Sequence, residues 1–178
     1  PLLSNIYLHY AFDLWARQWR QRHARGEVIL VRFADDIVAG FQYRSDAERF
    51  LAELEERFSK FCLALHPDKT RLIEFGRFAD RDRRRRGQGK PETFDFLGFT
   101  HSCSKTRNGK FAVLRQTMGK RLRRKLKDVK SELRRRLHDP VQQVGAYLRS
   151  VVQGHNRYYG VPRNGPALNA FRYGIVWL

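Results

Sequence analysis

The sequence predicts an α+β fold, with an antiparallel sheet that has helices on one face, followed by a helical segment. Short runs rich in Val, Ile and Phe occur in pairs, apolar residues at helical spacing precede and follow them, and the composition changes near residue 118. The 178 residues are 42% hydrophobic, which is enough to bury a core. We therefore expect two segments, residues 1–118 and 119–178.

Two helices are predicted in the first segment. The first covers residues 2–24, and the second begins at a capping box of Ser45 and Glu48 and stops before Pro67. Apolar residues at helical spacing in the first helix are Leu3, Ile6, Tyr10, Leu14 and Trp15. The single apolar face of the second helix consists of Phe50, Leu51, Leu54, Phe58, Phe61, Cys62 and Leu65.

Strands are predicted on both sides of the second helix. Residues 28–34 and 37–43 are short apolar runs separated by Asp35 and Asp36, which is the pattern of a tight β-hairpin. Residues 70–76, "TRLIEFG", predict a further strand.

The next residues are predicted to form a loop and a second hairpin. Residues 77–92 are rich in arginine and have no apolar periodicity, so we expect an exposed loop. Residues 94–114 read as two strands, with Asn108 and Gly109 supplying the positive φ angles of the turn.

The second segment is predicted to be helical. A basic helix covers residues 119–137, Asp139 and Pro140 signal the start of another, and a last helix follows a "VPRNGP" turn. The apolar stripe of the basic helix consists of Leu122, Leu126, Val129, Leu133 and Leu137.

The charge balance indicates a polyanionic partner. Lys and Arg number 36 against 18 Asp and Glu, a formal charge of +18, which favours nucleic acid. A membrane is not expected, because no apolar run approaches the roughly 18 residues of a spanning helix. Cys62 and Cys103 lie in no metal-binding or disulfide pattern, which favours a reducing cytoplasm. The start without an initiator Met, directly in apolar sequence, suggests a piece of a longer protein.

Asp35 and Asp36 are the candidate chemical site. Two adjacent carboxylates repel one another, and a divalent cation such as Mg²⁺ relieves that repulsion while leaving coordination positions for phosphate. Aspartate is also a common turn residue, so a solvated turn remains an equal alternative at this point.

Five ordered blocks carry a family resemblance. "FADD" between two apolar strands resembles the Tyr-Ala-Asp-Asp signature of reverse transcriptases, with Phe33 in place of Tyr. The other blocks are "PLLSNIYLHYAFD", "LHPDKT", "FLGF" and "VQGHNRYYG". In order, they resemble the block preceding the signature, the lysine block after the palm helix, the primer-grip hairpin and the thumb or maturase domain. The sequence thus resembles a group II intron-encoded reverse transcriptase/maturase.

The resemblance implies a partial polymerase palm, residues 1–118, and a truncated α-helical thumb, residues 119–178. It implies RNA-directed DNA polymerisation by two-metal nucleotidyl transfer with Mg²⁺, in which Asp35 and Asp36 are metal ligands and Asp35 is the more direct one. The fingers and a third carboxylate are expected outside this chain, so we expect the fragment alone to be inactive or very weak. The implied partners are an RNA template, a DNA primer, dNTPs and the intron RNA.

The resemblance also implies roles for other residues. Lys69 corresponds to the lysine near the departing pyrophosphate, and Phe33 to the aromatic residue beside the primer end and the nucleotide. The remaining nucleotide- or primer-binding candidates are Ser4, Asn5, Phe96, Leu97, Gly98 and Phe99. The thumb candidates for phosphate contact are Lys120, Arg121, Arg123, Arg124 and Lys127.

Each of these roles has a structural alternative. Ser4 and Asn5 are also ordinary caps, the phenylalanines are ordinary packing residues, and Lys69 is one lysine of many. Tyr158 and Tyr159 could stack on bases, although aromatic residues at helical spacing usually pack in a core. Two other functions also stay open, an RNA-binding maturase without polymerase activity and a nonspecific nucleic-acid-binding module.

Overall fold

The computed structural model describes residues 2–178, which form two compact units that divide between Ile73 and Glu74. Both units combine helices with antiparallel strands, so the α+β prediction is confirmed. In the described residues the strands form two separate sheets, one of two strands and one of three, instead of a single sheet. The division into palm and thumb at residue 118 stays a prediction.

The first unit contains a helical N-terminal region, a hairpin and a long helix. Its elements are α1 (Leu2–Leu8), a π-helical segment (His9–Asp13), α2 (Leu14–Arg22), β1 (Val28–Phe33), β2 (Asp36–Phe41) and α3 (Arg44–Ser59). The core is formed by Phe12, Ala16, Trp19, Val28, Phe50, Leu54 and Phe58. Because α3 and the inner face of the hairpin pack on this cluster, the hairpin is anchored in the core as far as Ile37, next to its tip.

The first helix packs on a face other than the predicted one. The exposed residues include Leu3, Ile6, Tyr10 and Leu14. The buried residues are Leu8, Ala11, Phe12, Ala16 and Trp19. This helical region is apolar on both sides, and the side that carries the Phe12 and Trp19 rings meets α3 and the hairpin. Helical periodicity alone does not indicate which of two apolar faces packs on the core.

The predicted start and end of α3 were wrong. Its N-cap is Tyr43, without a side-chain cap, and Glu48 pairs with Arg44 at 2.7 Å instead of completing a capping box with Ser45. Asp46 is buried, and one of its carboxylate oxygens accepts the backbone N–H groups of Arg25 and Gly26. The helix ends at Ser59, well before Pro67, and Cys62 is exposed.

The second unit contains a three-stranded sheet and helices. Its elements are α4 (Ala79–Arg85), β3 (Phe94–Phe96), β4 (Phe99–Lys105), β5 (Phe111–Thr117), α5 (Gly119–Arg135), α6 (Val141–Tyr159) and α7 (Gly165–Val176). The strand order is β3-β4-β5, with Phe96 opposite Phe99 and Phe99 opposite Thr117. In the β4–β5 turn Gly109 has a positive φ of 75°, whereas Asn108 does not, so only one of the two predicted turn residues has that role.

Two predictions for the start of the second unit and the residues before it were wrong. Residues 70–76 form no strand, and the arginine-rich stretch contains α4 instead of being a loop throughout. Asp80 and Arg84, one turn apart on α4, lie 3.2 Å apart. Such pairs stabilise a helix that has no apolar periodicity, which is why the pattern did not reveal it.

Buried Asn164 connects three elements of the second unit. Its side-chain oxygen accepts the N–H of Thr117 at 3.0 Å, and its amide donates to Thr117 Oγ1 and to the carbonyl of Tyr159, both at 2.8 Å. Val129 and Phe171 are fully buried, whereas Leu137, predicted for the apolar stripe, is 76% exposed just beyond the end of α5. The described helices include none that is long and apolar enough to cross a membrane.

Candidate active site and nucleic-acid surface

The β1–β2 hairpin presents the two adjacent aspartates at its tip. The turn consists of Ala34 and Asp35, and Asp36 is the first residue of β2, opposite Phe33. The sequence suggested that the two aspartates form the turn together, but only Asp35 lies in it. Ala34 has a φ of +53°, which a non-glycine residue adopts only at a cost in free energy.

Both carboxylates and the neighbouring aromatic ring are accessible to solvent. Asp35 and Asp36 are exposed, and Phe33 is 61% exposed, so core packing does not account for it. Phe33 and Asp36 pair directly and so lie on one face of the hairpin. Two carboxylates suit a hard cation such as Mg²⁺. Within residues 2–178, however, no group of three or more metal-binding side chains is assembled.

An ion pair of Arg32 and Asp13 lies next to this tip. Neither residue was among the site residues predicted from the sequence. The Arg32 guanidinium donates from Nε and Nη2 to the two Asp13 oxygens, at 2.8 and 2.6 Å. Its Nη1 donates to Asn5 Oδ1 at 3.1 Å and to the carbonyl of Ala34 at 3.0 Å. The hydrogen bonds from Arg32 to Asp13 and the charge of the guanidinium, with a smaller contribution from His9, lower the pKa of Asp13 against the opposing effect of burial.

The other N-terminal candidates are placed differently around the hairpin. Ser4 and Asn5 are exposed on α1, and Asn5 is tied to the hairpin through Arg32. Lys69 is exposed in a turn at residues 67–69, where its backbone N–H donates to the carbonyl of His66. Among the described residues, the Lys69 side chain has no hydrogen-bond or ion-pair partner.

The "FLGF" motif forms the tight turn between β3 and β4. Leu97 and Gly98 have φ angles of +48° and +80°, as a type I′ turn requires at both central positions. Tyr158 donates its hydroxyl to the Leu97 carbonyl at 2.9 Å. A Cβ on Gly98 would lie 2.9 Å from the Tyr159 hydroxyl, so the space beside this glycine is filled by tyrosine in this structure.

The rest of the motif is packed within the second unit. Phe99 is buried and contacts the rings of Tyr158 and Tyr159, while Phe96 and Leu97 are half-buried. His155 is buried and stacks on Phe171 with the ring centroids 3.7 Å apart. Burial, and secondarily the charge of Lys125, lowers its pKa. A structural role for His155 fits this environment.

Helix α5 has an exposed cationic surface. Its predicted phosphate-contact residues are all exposed, namely Lys120, Arg121, Arg123, Arg124 and Lys127. Within residues 2–178 none of these side chains forms an ion pair. Glu132 on the same helix pairs with Arg135 and Arg136. An open groove between α5 and α6 is lined by Arg121, Arg124, Lys125, Ser150 and Tyr158, among others.

Comparison with known proteins identifies the family. Residues 1–101 match the family model described as reverse transcriptase (RNA-dependent DNA polymerase). The chain belongs to the reverse transcriptase family. No curated protein and no solved structure gave a significant match.

The reverse transcriptase match covers the FADD hairpin, the "LHPDKT" segment and the "FLGF" turn. Reverse transcriptases are RNA-directed DNA polymerases, a class of nucleotidyltransferase; the family generally uses divalent metal ions and binds a template, a primer and dNTPs. The match ends before α5, so the thumb assignment of residues 119–178 stays a prediction.

Within the reverse transcriptase match, sequence patterns located the exposed carboxylates but not their support. The partners of Arg32 lie 19 and 27 residues away in the chain, at Asp13 and Asn5. One signal of this support was available in the sequence. Arg32 is the charged residue of an otherwise apolar strand, and the alternation of that strand places it on the inner face.

Proposed function

We propose that this chain is part of an RNA-directed DNA polymerase encoded by a group II intron, acting by two-metal nucleotidyl transfer. The observation that carries the proposal is the hairpin tip, where a reverse transcriptase chain presents Asp35 and Asp36 to solvent. The roles of Phe33, Lys69, Ser4 and Asn5 at the primer end and nucleotide belong to the same proposal. For the "FLGF" turn, primer contact would involve the half-buried Phe96 and Leu97, since Tyr159 fills the side of Gly98.

The aspartates fit a magnesium-dependent reaction in part. Asp35 and Asp36 would hold the cation, which would activate the primer 3′-hydroxyl and stabilise the leaving pyrophosphate. A two-metal site needs a further carboxylate. We propose that it is contributed from outside residues 1–178, because the described residues assemble no group of three side chains that could hold a metal ion.

Helix α5 supports the nucleic-acid part of the proposal. Its five predicted phosphate-contact residues are exposed and have no carboxylate partners within the described chain, so they keep their full attraction for phosphate. Two arginines of α4 differ in this respect, because Arg81 pairs with Asp82 and Arg84 with Asp80. Tyr158, exposed at the edge of the α5–α6 groove, is a candidate for stacking on a base.

Primer extension tests the proposed function. The 178-residue chain, alone and joined to its native upstream segment, is incubated with an RNA template, a DNA primer, dNTPs and Mg²⁺. We expect synthesis by the joined form and little or none by the chain alone, because the third carboxylate is proposed to lie in the upstream segment. EDTA should abolish synthesis. Absence of synthesis in the joined form would contradict the polymerase proposal.

A second candidate function is RNA binding as a maturase, without polymerisation. The unpaired cations of α5 favour it, because they require neither aspartate. Splicing of the parent intron by the joined form distinguishes the two candidates. A maturase without polymerase activity assists splicing but extends no primer, and it keeps its splicing activity when Asp35 is replaced by alanine. A polymerase extends the primer and loses that extension in the Asp35→Ala variant.

Removing charge from α5 is expected to weaken RNA binding. In the double variant Arg121→Gln and Arg124→Gln, affinity for single-stranded RNA should fall about tenfold near 0.1 M salt. The slope of log affinity against log salt should become shallower by about 1.4, that is about 0.7 for each lost phosphate contact. Fluorescence anisotropy across a salt series measures both quantities.

The matched control removes the same number of charges from α4. Arg81→Gln with Arg84→Gln breaks two arginine–aspartate pairs and should leave both affinity and slope near the values of the native chain. Equal losses in the two double variants would show that net charge alone, and not the α5 surface, governs binding.

A further inference from the structure

Arg32 connects three parts of the first unit beside the Ala34–Asp35 turn. Its hydrogen bonds reach α1 at Asn5, the π-helical segment at Asp13 and the turn itself at the Ala34 carbonyl. Only 15% of the Arg32 side chain is exposed, so water competes weakly for the two part-buried bonds to Asp13, whereas the bonds to Asn5 and Ala34 are exposed. A planar guanidinium can serve all three acceptors at once, because its N–H groups point in fixed, diverging directions.

The turn that carries Asp35 needs such support. Ala34 has a φ of +53°, a conformation that is unfavourable for a residue with a Cβ and persists where its surroundings hold it. The only hydrogen bond that its carbonyl accepts from a side chain within the described residues comes from Arg32. Arg32 is in turn fixed by both oxygens of Asp13, at distances typical of a charge-assisted pair.

We propose, on the basis of the polymerase function proposed above, that Arg32 is a positioning residue. By holding the Ala34–Asp35 turn against the N-terminal helix, it sets the position of the Asp35 and Asp36 carboxylates. It touches no reacting group itself and acts through the backbone of the turn. A lysine keeps the charge at this position but cannot reach Asp13 with two donors while also serving Ala34 and Asn5.

Amide hydrogen exchange on the 178-residue chain tests the positioning directly, without requiring activity. In Arg32→Lys and in Asp13→Asn, the amides of Phe33 and Asp36, which pair at the end of the hairpin beside the turn, should exchange about tenfold faster, while the amides of α3 keep their protection. Arg49→Lys is the matched control, because Arg49 also pairs with a carboxylate of this unit, that of Glu53, but contacts no residue of the turn. Native exchange at the turn in both test variants would overturn the proposal.

If Arg32→Lys also speeds the exchange of the α3 amides, that variant has disturbed the fold, and a third variant tests the positioning instead. Asn5→Ala removes one acceptor from an exposed position of α1 and leaves the core untouched. Faster exchange at Phe33 and Asp36 in this variant supports the proposal, and native exchange there together with native exchange in Asp13→Asn overturns it.

Steady-state primer extension separates this proposal from the proposed function. In the chain joined to its upstream segment, Arg32→Lys should lower kcat about ten- to a hundredfold and leave the KM for dNTP within about twofold of the native value. If the native joined form is inactive while exchange at the turn changes as expected, the polymerase function fails and the positioning stands. If the native form is active and Arg32→Lys has the same kcat, the positioning fails.

Discussion

Asp35→Asn is expected to lower primer extension by the joined form about a thousandfold or more, because it removes one full negative charge from the proposed metal site. Asp35 lies in the turn itself and is exposed, so the amide should be accommodated without loss of folding. Rates of single-nucleotide incorporation at saturating Mg²⁺, with circular dichroism as a check on folding, measure the effect.

A neighbouring variant and a control sharpen this result. Asp36→Asn should lose less activity, because Asp36 is the weaker candidate for direct ligation. Glu55→Gln removes an exposed carboxylate from α3 and should leave the rate unchanged. If Asp35→Asn extends the primer at the native rate, Asp35 holds no metal and the proposed chemistry is wrong.

Asn164→Ala is expected to lower the free energy of unfolding of the second unit by about 3 kcal/mol. The Asn164 side chain is completely buried, and its loss leaves the N–H of Thr117 and the carbonyl of Tyr159 without these partners. Because these hydrogen bonds connect β5, α6 and the start of α7, their loss should destabilise all three elements. Urea denaturation followed by circular dichroism measures the change.

Asn169→Ala is the control for this variant. Asn169 lies on the same helix, α7, and is exposed, so its replacement should change the free energy of unfolding by no more than about 0.5 kcal/mol. A similarly small change for Asn164→Ala would show that the hydrogen-bonded connection contributes little to stability.

The sequence predicted best where neighbouring residues alone determine the structure. Two short apolar runs around a pair of turn residues were enough to predict the β1–β2 hairpin, and the 3.6-residue period predicted the buried face of α3 at Phe50, Leu54 and Phe58. The reverse transcriptase resemblance rested on motifs of this local kind, and the family match confirmed it.

Prediction failed where the outcome depends on distant residues. Ser45 and Glu48 have the spacing of a capping box, yet Glu48 pairs with Arg44, and Asp46 turns inward to bind the backbone before β1. The polar connection at Asn164 depends on Thr117, 47 residues earlier in the chain. No local pattern contains that information, because the partners meet only after the chain has folded.

The π-helical segment between α1 and α2 determines which side of α1 meets the hairpin. Its last hydrogen bond runs from the Leu14 N–H to the His9 carbonyl, five residues back, so the segment holds one residue more than an α-helical turn. Each residue of a helix corresponds to a rotation of about 100° about its axis. The length of this segment therefore determines the rotation of α1 about its own axis. A one-residue deletion within it would turn Asn5 away from the Arg32 guanidinium that it now contacts.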